Sequence, residues 1–153
     1  MQVSIAVEPF DSPEARRLIT ALDEHLASRY APEQRFGPNL KPEQIAAGLG
    51  TFVIARADGR VVGCGALRKL DPESAEVKRM YVAPELRGRG VAKKILEHLE
   101  VVGRELGVHR LVLETGIYQA EAIALYQGAG FEPVRCWGEY AESVTSVCFE
   151  KRI

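Results

Sequence analysis

The chain has 153 residues, of which 46% are hydrophobic and 27% charged, and its formal net charge is -1. This length suits one domain with a sizeable core, and the balance excludes a disordered chain and a cysteine-dense secreted scaffold. The near-neutral charge gives no global attraction to nucleic acid or an anionic membrane, so any anion site must be built locally.

No stretch approaches the roughly 20 apolar residues of a membrane span, and Met1 to Phe10 lacks the charged and apolar regions of a signal peptide. One cytoplasmic domain over residues 1–153, a monomer or homodimer that binds neither nucleic acid nor membrane, is expected. The three cysteines, Cys64, Cys136 and Cys148, are odd in number and widely spaced, which reads as reduced core thiols. His25, His98 and His109 show no spacing that closes a metal shell, so no metal is expected.

In chain order, Val3 to Val7 reads as a short strand ended by Pro9. Asp11-Ser12-Pro13 then supplies an N-cap and a proline at the first helical position. Ala15, Leu18, Ile19, Leu22 and Leu26 recur at helical spacing to about Arg29, a stripe that reads as core. Tyr30 to Pro42 is rich in breakers and reads as a loop bordering a binding site, and Pro42 opens a short second helix through Ala47.

Thr51 to Ala57 and Arg60 to Leu70 are β-rich runs around Asp58-Gly59, which predicts an antiparallel hairpin with a type I′ turn. Ala75 to Val82 makes a further strand stopped at Pro84. Val91, Ile95, Leu96, Leu99, Val102 and Leu106 mark the buried face of a long helix that Gly107 ends. Leu111 to Thr115 then reads as a buried strand, so the strand–helix–strand unit implies a right-handed parallel crossover. A helix over about Gln119 to Gln127 follows, ended by Gly128 and Gly130, and two late strands fall near Phe131–Trp137 and Ser143–Glu150. The sum is an α/β sheet of mixed strand direction.

The segment Val82-Ala-Pro-Glu-Leu-Arg-Gly-Arg-Gly-Val-Ala-Lys-Lys94 joins a strand to a helix and carries the clearest chemistry. Glycines 88 and 90 let backbone approach a ligand, and the first helical N–H groups have no intrahelical partner and meet the positive end of the helix dipole. Arg87 and Arg89 can add charge-assisted bonds to phosphate oxygens. The alternative is a glycine-bearing turn with solvated basic residues. A dinucleotide fingerprint would need glycine where Lys93 stands, and the Gly-Lys-Ser/Thr of a P-loop is absent.

What remains is R-x-x-G-x-A, spanned by Arg87, Gly90 and Ala92, and on that motif the chain resembles the GNAT acetyltransferases. The resemblance covers the order of elements throughout and is most specific from Glu76 to Phe131. It implies a mixed, mostly antiparallel sheet whose central parallel pair splays around acetyl-CoA, the acyl donor, with helices on its flanks. The backbone of Met80, Tyr81 and Val82 would run beside the pantetheine arm. Arg87, Gly88, Arg89, Gly90, Val91, Ala92 and Lys93 would wrap the pyrophosphate. The family's N-x-x-A-x-x-x-Y ahead of Gly-Phe is matched by Gln119, Ala122, Tyr126, Gly130 and Phe131, with Gln119 replacing the asparagine.

The same resemblance assigns roles in acetyl transfer to the amine of a small molecule or peptide, by direct attack in a ternary complex. Tyr126 would be the general acid, Met80 would offer its backbone N–H to the oxyanion at a bulge, and Glu76 would serve as base, directly or through water. The alternatives are a buried helix aromatic at 126 and a strand-face glutamate at 76 paired with Lys78 or Arg79. Glu114, Trp137, Tyr140 and Ser143 are weaker site residues, and nothing near Cys64 in sequence would activate its thiol. A non-catalytic acyl-CoA sensor of the same fold is the rival reading, and an unrelated phosphate-binding fold is the second.

Overall fold

The structure of the chain, a computed structural model, describes residues 1–34 and 40–153. The middle of the expected loop after Tyr30 therefore lies outside the described residues. Strand β1 (Val3–Val7) precedes helix α1 (Pro13–Arg29), whose N-cap Ser12 accepts a hydrogen bond from the Ala15 N–H at 3.1 Å. Pro42–Ile45 forms only a 3₁₀ turn, shorter than the helix expected there. Strands β2 (Gly50–Ala57) and β3 (Arg60–Lys69) form the expected hairpin, with positive φ at both Asp58 and Gly59 (49° and 84°) as a type I′ turn requires.

Next come β4 (Ser74–Val82), α2 (Val91–Glu105), β5 (Arg110–Gly116), α3 (Ala120–Gly128), β6 (Glu132–Val134) and β7 (Ser146–Arg152). One seven-stranded sheet runs in the order β1-β2-β3-β4-β5-β7-β6, antiparallel throughout except for the parallel pair β4–β5. Helices cover both faces, because alternate residues of a strand point to opposite sides. Phe52 and Ile54 of β2 pack with Ala15 and Leu18 of α1, whereas Val53 and Ala55 pack in the cluster that holds α2. Val91, Ile95, Leu96 and Leu99 of α2 are buried, each worth roughly 1.5–3 kcal/mol of apolar transfer.

The late segment departs from expectation. β6 is limited to three residues because Pro133 has no N–H to give a ladder, and it survives there only as the sheet's edge strand. The chain then turns away through a 3₁₀ turn at Gly138–Tyr140, and β7 begins at Ser146 after the exposed Val144. Cys136 and Cys148 are joined in a disulfide, which corrects the reading of three reduced thiols; Cys64 is free and buried. Pairing of Val134 with Cys148 across β6–β7 brings Cys136 within reach, a register that spacing along the chain does not display.

Close packing of α2 on β3 depends on Gly65. A Cβ there would lie 2.6 Å from Ile95 Cγ2 and 2.8 Å from Met80 Sδ. Gly65→Ala should therefore lower stability by about 1–3 kcal/mol, the usual cost of overpacking. A thermal melt reads this as a fall in Tm of several degrees, and an unchanged Tm would show that Ile95 and Met80 can move aside freely.

Candidate active site

Pairing between β4 and β5 lasts only three positions, Ser74–Arg110, Ala75–Leu111 and Glu76–Val112. Beyond Glu76, β4 continues along β3 to Val82, and β5 continues along β7 to Gly116. The two strands thus part in the middle of the sheet. The β3–β4 register skips from Cys64–Tyr81 to Ala66–Lys78, so β4 carries one extra residue and bulges at Arg79–Met80. Arg79 takes a left-handed φ of 56°, costly for a residue with a Cβ. Its guanidinium is held 2.8 Å from Asp23 Oδ1 on α1, and its carbonyl accepts the Cys64 thiol at 3.2 Å.

On one side of this parting lies a groove of about 470 Å³. Met80, Tyr81, Val82, Arg87, Gly88, Gly90, Val91, Ala92, Lys93, Gln119, Ala122 and Tyr126 line it together. Of the residues expected around the acyl donor, only Arg89 is missing from its lining, and it is exposed. The loop has the form an anion site needs. Gly88 and Gly90 have positive φ, 77° and 84°, with nothing within 4 Å of where a Cβ would stand. Among the described residues, the N–H groups of Gly88, Arg89 and Gly90 make no backbone hydrogen bond, and the first α2 bond is from Lys94 N–H to Gly90 C=O. Arg87 is held by its Nε bond to the Val82 carbonyl (2.9 Å) over the Tyr81 ring, which leaves its terminal nitrogens free to meet an anion.

On the other side lies a smaller cavity of about 200 Å³, lined by Glu76, Lys78, Glu114, Tyr30, Gln34 and Tyr140 among others. Leu22, Met80, Gln119, Ala122 and Tyr126 belong to both spaces, so the two meet at a seam. Tyr126 stands there with its ring against Phe131 and Phe149, and among the described residues its hydroxyl has no hydrogen-bond partner. Burial, and then the charge of Glu114, raises its pKa above the ordinary tyrosine value, so the phenol stays protonated.

Glu76 is only 1% exposed. Its Oε1 accepts from Arg68 Nε at 2.9 Å, its Oε2 accepts from the Tyr140 hydroxyl at 2.9 Å, and Lys78 Nζ lies 3.6 Å away. Lys78 also donates to Tyr140 at 3.1 Å. Arg79, the other partner considered from sequence, is turned to Asp23 instead. Burial, then the Glu76 charge and bond, raise the Tyr140 phenol above its ordinary pKa, which makes it a donor to Glu76. Trp137 packs edge-on against Tyr140 and lines neither space. Cys64 is inert, because burial pushes its thiol up to about 12 against the opposing pull of Arg79.

Sequence reasoning missed the part played by α1. Leu22 and Leu26 read as core, yet both line the smaller cavity. His25 faces the groove and donates from Nε2 to Gln119 Oε1 at 3.2 Å, so the residue in the asparagine position leaves α3 uncapped and reaches across to α1. Arg29 donates to the Tyr118 carbonyl, and the Tyr30 hydroxyl accepts from the Tyr118 N–H, both at 2.9 Å. These contacts span 88 or more positions and leave no local trace in the sequence. Among the described residues no cluster of His, Cys, Asp and Glu could hold a metal, and no helix is long and apolar enough to cross a membrane.

A sheet parted around a glycine-rich, amide-lined helix start, with a tyrosine at the seam of two cavities, defines an acyl-CoA-dependent transferase fold. The family model described as Acetyltransferase (GNAT) family matches residues 15–131, and the chain belongs to that family and so to the acetyltransferase enzymes. It is 38% identical over 151 residues, 97% of each chain, to the IAA acetyltransferase of Azospirillum brasilense. The crystal structure of a candidate acyl-CoA N-acyltransferase from Klebsiella pneumoniae superposes with a TM-score of 0.83 at 31% identity, covering 99% of this chain and 97% of that one. PaiA N-acetyltransferase from Thermoplasma acidophilum, solved in complex with coenzyme A, shares the fold with a TM-score of 0.74 at 18% identity over 100% of both chains.

Proposed function

We propose that the protein moves an acetyl group from acetyl-CoA to a primary amine of a small molecule or peptide, by direct attack with both substrates bound. The observation that carries this reading is the seam, where the groove and the smaller cavity share Met80 and Tyr126. Acetyl-CoA supplies an activated thioester, and the residues present fit it. Amides of the Gly88–Gly90 loop and the α2 terminus, with Arg87 and Lys93, would hold the pyrophosphate. The apolar wall of Tyr81, Val82 and Leu125 would take the pantetheine arm. Met80 has no partner in the β3 register and lies beyond the β4–β5 pairing, so its N–H is the one we assign to the oxyanion. Tyr126 would protonate the departing sulfur. The amine would enter the cavity that Glu76 and Glu114 line, where Glu114 keeps a carboxylate oxygen without a protein partner among the described residues.

An amine panel with acetyl-CoA, with the IAA for which the Azospirillum relative is named run beside it as a separate acceptor, followed by thiol release above background hydrolysis, tests the reading. Binding of acetyl-CoA without turnover of any member would replace the enzyme with a sensor of the same fold. The loop assignment has its own test. Gly90→Val forces a β-branched residue into φ 84° and places its methyls in the open space above the loop. Coenzyme A affinity, measured by calorimetry on a folded variant, should fall by more than about tenfold, or roughly 1.4 kcal/mol. Unchanged affinity would move the pyrophosphate elsewhere.

A further inference from the structure

We infer that Glu114, positioned by Ser146, takes the proton from the attacking ammonium, and that Glu76 serves as an anchor for the cavity wall. This rests on the acetyl transfer proposed above, and it gives Glu114 the role that the family resemblance places at Glu76. Both carboxylates line the same cavity, one from each of the two strands that part there. They differ in what holds them. Each Glu76 oxygen already accepts a bond, one from Arg68 and one from Tyr140, with the Lys78 ammonium beside them. Protonating it would leave the Arg68 guanidinium, itself 17% exposed, without its counter-charge.

Glu114 has a single hydrogen bond among the described residues, from Ser146 Oγ to Oε2 at 2.5 Å, and Ser146 Oγ lies 2.6 Å from Ser143 Oγ. Its Oε1 has no protein partner, and no polar side-chain atom among the described residues is both fully buried and unpaired, so Oε1 opens on the cavity. That leaves a lone pair for an incoming proton. Charged and titratable groups face Glu114 from every side. They are Glu76 and Lys78 on β4, Glu139 and Tyr140 on the 3₁₀ turn, Tyr126 on α3 and Tyr30 after α1. Burial, with the nearby Glu76 and Glu139 charges, raises the Glu114 pKa above the ordinary carboxylate value, against the Ser146 bond and Lys78. A raised pKa makes a carboxylate a better base at neutral pH.

An ammonium N–H bond breaks and its proton goes to Glu114 Oε1 and then to solvent. The freed lone pair forms the C–N bond at the thioester carbon as the C–S bond breaks. Sulfur takes the Tyr126 proton, and the second proton of the amine nitrogen restores the phenol, directly or through water. One proton is released for each acetyl group moved.

The test compares wild type, Glu114→Gln, Ser146→Ala and Glu76→Gln. It reads pH–rate profiles with acetyl-CoA and the best amine of the panel, coenzyme A affinity by calorimetry, and ¹³C NMR titration of glutamate carboxyls in the free protein. In wild type, kcat/KM should rise with pH through a midpoint that NMR assigns to Glu114 by the loss of that resonance in Glu114→Gln. Glu114→Gln should keep coenzyme A affinity, lower kcat by about 10²–10⁴, and follow only the free amine's own titration. Ser146→Ala should keep the midpoint but move it to higher pH, because the bond it removes lowers the Glu114 pKa. Glu76→Gln should keep the midpoint but move it to lower pH, because the charge it removes raises the Glu114 pKa. Full activity of Glu114→Gln, or loss of the midpoint in Glu76→Gln, overturns the inference. So does an ordinary Glu114 titration, whether or not any amine is acetylated. Failure of wild type to acetylate any amine, with Glu114 titrating high, would overturn the acetyl-transfer reading instead.

Discussion

Tyr126→Phe should lower kcat by about 10²–10⁴, the range for a lost general acid, with coenzyme A affinity and Tm close to wild type. The three readouts separate chemistry from packing. The ring makes the contacts to Phe131 and Phe149, and phenylalanine keeps them. The hydroxyl has no protein hydrogen bond among the described residues, so its removal strands no donor or acceptor. Because burial and the Glu114 charge hold the phenol's pKa above its ordinary value, it stays protonated across the working pH range. The loss of rate should accordingly be uniform with pH, unlike that of Glu114→Gln. Wild-type turnover in Tyr126→Phe would leave residue 126 as core alone.

Glu76→Ala should be the most destabilising of these changes. It removes a carboxylate that is 1% exposed from among Arg68, Lys78 and Tyr140, leaving two cations and a phenol without their acceptor. Breaking a buried pair by deleting one partner costs about 3–5 kcal/mol, which for a chain of this size lowers Tm by roughly 6–20 °C. Exposed pairs offer a contrast, since Arg17 and Glu14, 3.9 Å apart on α1, belong to a class worth about 0–1 kcal/mol. Thermal melts of Glu76→Ala, Arg68→Ala and the double variant measure the coupling. If Glu76→Ala melted within a degree or two of wild type, the anchoring role would fall and Glu76 would return as the leading proton acceptor.

The contrast between the two glutamates bears on how the site divides its work. An anchored Glu76 fixes Tyr140 and, through it, the 3₁₀ turn that lies within the loop closed by the Cys136–Cys148 disulfide. Tyr140 is thus a wall of the smaller cavity, with Trp137 packed against it from outside. On the proposed reading, acceptor choice would depend on elements far apart in the chain: the end of α1, the 3₁₀ turn and the start of β7.

What could be read from sequence is what is written in short-range patterns. The Asp58-Gly59 turn, the bounds of β1 and α1, the long α2 with Gly107 at its end, and the glycine-rich loop all follow from interactions a few residues apart. Such features stand or fall with local dihedral preference and periodicity, and so does the resemblance that rests on Arg87, Gly90, Ala92 and Tyr126. The identity of Glu76 as an interesting carboxylate was legible, and so was Lys78 beside it, but its two hydrogen-bonding partners were not. Arg68 reaches it across an antiparallel register and Tyr140 from 64 residues away. Gln119 could be seen as a substitution, yet only the approach of α1 shows it bonded to His25, 94 residues distant. The disulfide depended likewise on the β6–β7 register. By itself the sequence determined the family and the glycine-rich loop at the start of α2, because both are local. Tertiary structure alone decided which carboxylate has both oxygens tied down and which keeps one without a protein partner among the described residues, because burial and partner choice are set by the packing of strands and helices that meet only after folding.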